Sequence, residues 1–303
     1  MNVTLTVEQS GLRADQYLAG VLDGLTRSAA QKLLEEGRVL RRGKALKKND
    51  KLQAGDEVAV CIPDPTPVEI VPQDIPLDVV YEDGDVIVVN KPVGMVVHPA
   101  PGHPDGTLVN ALLHHCGQSL SGINGQLRPG IVHRIRDTSG LIIAAKNDAA
   151  HLALAEQLQD HSLYREYEAV VVGNLREDSG TVDLPIARHP TDRKKMAVNH
   201  LNGRRAVTHW TVLARYPGYT HIQCRLETGR THQIRVHMAA LGHPVLGDPV
   251  YGGQRKGFPE LAGQCLHARR LTFRHPRTGE QVTVSCPLPD YFQAVLTRCG
   301  RLV

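Results

Sequence analysis

Apolar and polar residues alternate over residues 3–7, VTLTV, the period-two pattern of a half-buried strand. Helical spacing follows over 13–18 and again over 29–36. Thr26 or Ser28 is placed to cap the second helix and Gly37 to end it. Short strand-like pairs at 39–40 and 51–52 flank a polar loop, and the turn Gly55-Asp56 leads into a strand over 57–60. The proline-rich run 63–67, PDPTP, is a stiff, extended spacer. These patterns predict a small domain over 1–62, a linker over 63–75 and a larger domain over 76–303.

In the larger part, 78–83 and 85–92 read as two strands joined at Gly84, and 108–115 as a helix. The stretch 130–146, GIVHRIRDTSGLIIAAK, opens on the turn Pro129-Gly130 and a short strand at Ile131-Val132. A polar run over 133–140 interrupts it before an apolar run over 141–145. A helix is predicted over 149–158, with strands over 165–173, 206–213, 220–226 and 281–286. Strands dominate, helices intervene singly and no fixed repeat appears, which predicts an α+β fold: a small N-terminal α/β domain plus a larger one on a mixed, mostly antiparallel sheet.

Hydrophobic residues make up 41% of the 303-residue chain, enough for real cores, whereas 4% aromatics argues against a broad stacking platform for single strands. The net charge of +4 is mild, but its distribution is not. Arg38, Arg41, Arg42, Lys44, Lys47, Lys48 and Lys51 crowd one stretch opposed only by Asp50, the footprint of a polyanion partner or of a solvated charged face. The six cysteines form no C-x-x-C pair and the sixteen histidines supply no complete ligand set, so free thiols and no metal site are expected. Neither a leader peptide nor an apolar run of membrane-spanning length is visible, and a cytoplasmic protein is expected.

Three segments carry more specific polar residues than a core requires. They are 133–140; Arg165-Glu166-Tyr167-Glu168-Ala169; and 228–237, TGRTHQIRVH, with 242–252 behind it. In the first, Asp137 follows Arg134 and Arg136. A carboxylate held between arginines stays ionised and serves as nucleophile or base; the plainer alternative is a hairpin with surface salt bridges. The third alternates on a strand or at the start of a helix, again with a salt-bridged surface as the alternative.

Two resemblances organise these residues. Residues 1–62 resemble the alpha-L RNA-binding motif at Arg13, Asp15, Leu18, Arg27, Gln31, Leu34, Gly37, Val39, Gly43, Gly55 and Asp56. Residues 75–300 closely resemble the RluA-type pseudouridine synthases. The matches are Asn90-Lys91-Pro92 with Gly94, His133-Arg134, Thr138-Ser139-Gly140, Arg165 with Tyr167, the 229–237 block, Gly247-Asp248 and Leu266-His267-Ala268. The resemblance implies isomerisation of uridine in structured RNA, most closely large-subunit ribosomal RNA and its precursor particle, with transfer RNA as the alternative substrate. The enzyme would act as a monomer, and no cofactor is implied because no oxidation state changes. It also implies roles. An aspartate attacks the nucleotide or stabilises the cleaved state, and Arg235 pairs with it. Tyr167 packs on the base and helps remove the carbon-5 proton, and Arg134 fills the space left by a flipped base. Arg27, Arg38, Arg41, Arg42, Lys44, Lys47, Lys48, Lys91, Arg230 and His232 are assigned to RNA contact.

One feature departs from the family pattern of His-Arg-Leu-Asp, two residues, then Thr-Ser-Gly. Here the run is His133-Arg134-Ile135-Arg136-Asp137-Thr138-Ser139-Gly140, one residue shorter. Asp137 is the only carboxylate nearby. Either it reaches the catalytic place from a displaced position, or the chain binds RNA without isomerising it.

Overall fold

The computed structural model describes residues 2–22, 25, 27–62, 70–100, 102–122, 130–133, 138–192, 194–252, 257–259 and 261–300, apart from the side chains of 2, 28, 29 and 118. Arg134 and Asp137 lie outside the described residues. The chain divides into two compact units, Met1–Pro67 and Val68–Val303.

The first unit runs β1 (Asn2–Thr6), α1 (Ala14–Val21), α2 (Arg27–Glu35), β2 (Val39–Arg41), β3 (Lys44–Ala45) and β4 (Glu57–Cys61), with sheet order β1-β4-β2-β3. Leu18 of α1, Leu34 of α2 and Val58 and Val60 of β4 share one apolar core. Asp15 is fully buried, and its carboxylate accepts hydrogen bonds from Arg13 (3.0 Å), Arg27 (2.9 Å) and Gln31 (2.7 Å). Burial by itself would raise this carboxyl, but the three donors outweigh it and hold it well below the ordinary carboxylate value. Four positions of the N-terminal resemblance are therefore one cluster around a buried carboxylate that ties α1 to α2. Lys51, predicted on a strand, makes only an isolated bridge with Arg13.

The second unit contains β5 (Val79–Glu82), β6 (Val86–Lys91), α3 (Leu108–Cys116), β7 (Ser139–Ala145), α4 (Asp148–Gln159), β8 (Tyr164–Val172), β9 (Ser179–Asp183) and the ribbon β10 (Ile186–Arg188) and β11 (Met196–Val198). It continues through β12 (Val207–Tyr216), β13 (Tyr219–Leu226), α5 (Gln233–Ala240), β14 (Leu266–Arg274), β15 (Gln281–Ser285) and α6 (Asp290–Gly300). The large sheet is ordered β5-β6-β7-β14-β8-β13-β12-β9, with β15 beside β14, and among the described residues only β7 and β14 pair in parallel. This is the α+β architecture with a mostly antiparallel sheet. No helix among the described residues is long and apolar enough to cross a membrane.

Both faces of the central strands are covered, which is why 141–145 is continuously apolar rather than alternating. Ile142 and Ala144 of β7 join Leu108 and Leu112 of α3 and Ile234 and Met238 of α5 on one face. Leu141, Ile143 and Ala145 join Ala150 and Leu154 of α4 on the other. Thr107 caps α3, accepting from the Asn110 backbone N–H. Part of the predicted linker belongs to this unit: Ile70 is in its core, and Asn110 binds the backbone at Val71 and Gln73. The strand at β14 and the helix α6 are elements that the apolar pattern did not indicate.

Candidate active site

The segment 228–237 resolves into a turn followed by the helix α5. The polar residues of the helix itself are buried, so the reading as a salt-bridged surface does not hold there: Gln233, Arg235 and His237 are 3%, 3% and 0% exposed. Each has a partner that explains its burial. The Gln233 side chain accepts from Thr228 Oγ1 (2.7 Å) and the Arg230 backbone (2.9 Å) and donates to the Val207 carbonyl (2.9 Å), fixing the turn onto β12. His237 Nε2 donates to the Leu184 carbonyl, so its Nδ1 accepts from Thr208 Oγ1, both at 2.9 Å. Burial lowers its pKa and keeps the ring neutral. His232 begins the helix in the left-handed region, at φ 57°, and pairs with the Tyr251 hydroxyl at 2.9 Å.

Arg235 is gripped by Asp248, with Nε–Oδ2 at 2.7 Å and Nη2–Oδ1 at 2.8 Å. Its guanidinium lies over the Tyr251 ring, 5.2 Å from the centroid. Asp248 also accepts from the backbone of Val250 (2.8 Å) and Tyr251 (3.1 Å). Burial pushes its carboxyl upward, but Arg235 and the two amides more than reverse this and leave its pKa lowered. The described partner of Arg235 is therefore Asp248, where the resemblance implied the catalytic aspartate. Arg235 Nη1 remains, buried and without a hydrogen-bond partner among the described residues. Both Asp248 oxygens are occupied, which disqualifies it as a free nucleophile.

A second set of residues meets around β8. Arg165 packs against Gly229, where a Cβ would come within 2.7 Å of its guanidinium. Its charge also acts on His133, at the stem of the 134–137 loop, and on Tyr167. His133 is buried; its Nε2 accepts from the Ile143 backbone at 3.2 Å. Burial first, and Arg165 second, depress its pKa to about 3, so the ring is neutral. Tyr167 is 7% exposed, and burial raises its pKa against the opposing effect of Arg165, which keeps the phenol protonated. Its hydroxyl makes no hydrogen bond among the described residues. Thus the loop stem, the β8 residues and the turn into α5 are brought together at Arg165, although they lie far apart in sequence.

Downstream of the loop, Ser139 Oγ contacts His267 Nδ1 (2.9 Å) and the Tyr291 hydroxyl (2.8 Å). Gly140, at φ 105°, sits so close to Ala268 that a Cβ would strike its backbone. This contact is where β7 and β14 run parallel.

The assigned RNA-contact residues fare differently. Lys91 is a correction: it is 1% exposed, and its Nζ donates to the carbonyls of Pro92 (2.9 Å) and Met95 (2.8 Å), so it braces a loop. Arg27 is pinned to Asp15, while Arg38, Arg41 and Lys48 pair with Glu36, Asp56 and Glu35. Arg42, Lys44 and Lys47 are exposed, without an ion-pair partner among the described residues. Arg230 is half-buried and donates to the Arg205 carbonyl at 3.0 Å. The one metal-like cluster among the described residues is Asp83, Asp85 and His275. Its carboxylates are already bound by Tyr81, Asn147, Arg277 and His275, as in an internal ion network.

The RNA pseudouridylate synthase family model matches residues 85–240, which include the loop stem, β8 and α5. The chain belongs to this family. Its matches to individual proteins cover almost the whole chain. An RNA pseudouridine synthase of Bacillus subtilis is 50% identical over 291 residues, 96% of this chain and 95% of that one. The ribosomal large subunit pseudouridine synthase D of Zymomonas mobilis is 48% identical over 301 residues, with 96% and 95% covered. The solved human RNA Pseudouridylate Synthase Domain Containing 1 is 25% identical, with a TM-score of 0.57 over 79% of this chain and 98% of that one. In this pseudouridine synthase, the residues that sequence reading left without a role are Asp248, Tyr251 and the Arg165–Gly229 contact. The Gly247-Asp248 and Tyr251-Gly252 motifs were the signal for the first two.

Proposed function

We propose that this synthase converts uridine to pseudouridine in large-subunit ribosomal RNA within the precursor particle, as a cytoplasmic monomer without metal or organic cofactor. The observation that carries the reading is the convergence of the His133 stem, Tyr167 and the turn into α5 around Arg165, with that helix carrying a buried Arg235 whose Nη1 is uncommitted among the described residues. The names of relatives such as the Zymomonas enzyme support the ribosomal substrate.

Asp137 is the ionised carboxylate, and Arg235 Nη1 is the donor that holds it charged. The bond from ribose to uracil nitrogen breaks and leaves its electron pair on the nitrogen, the ring turns, and the same sugar carbon bonds carbon-5; the carbon-5 proton then leaves as the freed nitrogen takes one up, so that substrate and product are isomers. Tyr167, a neutral phenol, supplies a flat wall for the base and a hydrogen-bonding hydroxyl rather than a standing base. Arg134 occupies the gap left by the flipped nucleotide, since flipping costs a few kcal/mol that a filled stack offsets. Exposed Arg42, Lys44 and Lys47 add phosphate contacts from the first unit.

The test is Asp137→Asn, read by nucleoside analysis of large-subunit RNA treated with purified protein. Loss of all pseudouridine formation is expected; an unchanged rate overturns the assignment. The shortened loop favours a second reading, RNA binding without isomerisation. Under that reading the parent is inactive, and inserting one Asp between Ile135 and Arg136 restores the family spacing and switches isomerisation on.

A further inference from the structure

Residues 186–205 hold six lysines and arginines against one aspartate, a net +5 in a chain whose total is +4. The segment comprises the ribbon β10–β11 and the turn after it, in the register Ile186↔Val198, Ala187↔Ala197 and Arg188↔Met196. Its inner face is fixed. Ile186 and Ala206 are buried against Val236 of α5, with Met196, Val198 and Tyr251 packed around them. The Met196 backbone also donates to the Tyr251 hydroxyl at 2.9 Å, and the Tyr251 ring faces Arg235. The ribbon is thus seated on the helix that carries Arg235, beside the candidate site.

Its outer side is charged and its turns are held. Lys194, in the loop joining the two strands, and Arg204, after β11, are exposed and have no ion-pair partner among the described residues. The Lys194 backbone donates to Asp192 Oδ1 at 2.9 Å. At the other end, Asn199 Oδ1 accepts from the backbone of Leu201 and Asn202, both at 2.9 Å, and Arg204 returns to bridge Ile186. That turn presents Leu201 at 93% exposure, the highest of any large apolar side chain among the described residues. A lone exposed leucine on a neutral surface needs no partner. Here it stands in a locked turn next to exposed arginines, the combination by which apolar side chains enter a nucleic-acid stack while cations hold the backbone.

We propose that the ribbon 186–205 is an RNA-docking arm, in which Lys194 and Arg204 neutralise phosphates near the target nucleotide and Leu201 lies against an unstacked base. This rests on the reading of the chain as an enzyme acting on structured RNA. RNA is favoured over an acidic protein because the arm is anchored to the candidate catalytic helix, where a bound strand lies beside the site. It adds a second phosphate-binding surface to that of the first unit.

The experiment measures binding of the full chain to a fluorescent stem-loop RNA with a uridine-containing loop, across a salt series. The double variant Lys194→Gln/Arg204→Gln is expected to bind about tenfold more weakly, with a log–log salt slope smaller by about 1 to 2. Leu201→Ser is expected to weaken binding about threefold with the slope unchanged, because no charge is lost. Parent-like affinity and slope in the double variant would overturn the arm, and parent-like affinity in Leu201→Ser would overturn the base contact. Competition by poly-glutamate as strong as that by RNA, at equal charge, would assign the arm to acidic protein and also overturn it. A parent that binds no structured RNA would instead overturn the underlying reading together with the arm.

Discussion

Arg235 and Asp248 meet edge to edge, through two hydrogen bonds of 2.7 and 2.8 Å, with side chains only 3% and 0% exposed. The pair spends two of the arginine's N–H groups and leaves Nη1 buried for an anion. Its role is orientation: a guanidinium gripped along one edge and flanked by Tyr251 has little freedom to turn.

Asp248→Asn should therefore affect both stability and rate. Breaking a buried pair leaves an uncompensated charge, costing about 3 kcal/mol or more. A misdirected Arg235 should lower isomerisation about a hundredfold. Denaturant unfolding and single-turnover kinetics check the two effects, and a variant that matches the parent in both would remove the clamp.

Lys91→Met should destabilise the second unit by about 1–3 kcal/mol, because the carbonyls of Pro92 and Met95 lose their shared donor. The salt slope of RNA binding should stay at the parent value. A reduced slope without a stability change would return Lys91 to the RNA surface.

Gly140→Ala should be among the most damaging small changes in the chain. At φ 105° an alanine is strained, and its Cβ is driven into the Ala268 backbone at the β7–β14 junction. Thermal melting should show a loss of about 3 kcal/mol or failure to fold. An alanine variant with the parent's melting temperature would show that the junction can open.

Buried histidines set an acid limit. His133 has a folded pKa of about 3 against an ordinary 6.5, so the unfolded chain takes up its proton first. The resulting stabilisation is complete above about 6.5 and is lost as pH falls from there toward about 3. His151, His237 and His267 are displaced in the same direction, mainly by burial. Urea unfolding at pH 7.5 and pH 5 should show the decline, and His133→Gln should make it shallower. An equal decline in both proteins would place the His133 ring in solvent.

What the sequence determined by itself was local. Alternation marked β1, since a strand's period of two is written in neighbouring residues. The run 141–145 announced a strand buried on both sides. The order of polar motifs over 133–252 was specific enough to indicate the chemistry. The tertiary structure decided everything that depends on partners distant in sequence. In β14, LHARRLTFR mixes charges into a core strand, and its place becomes evident only with β7, β8 and β15 alongside. A polar side chain in a sequence carries no sign of whether water or protein will satisfy it. Folding alone buried Lys91 under two carbonyls, closed Arg235 on Asp248 and left Lys194 and Arg204 facing solvent, because hydrogen-bond satisfaction is settled by what packs around a group.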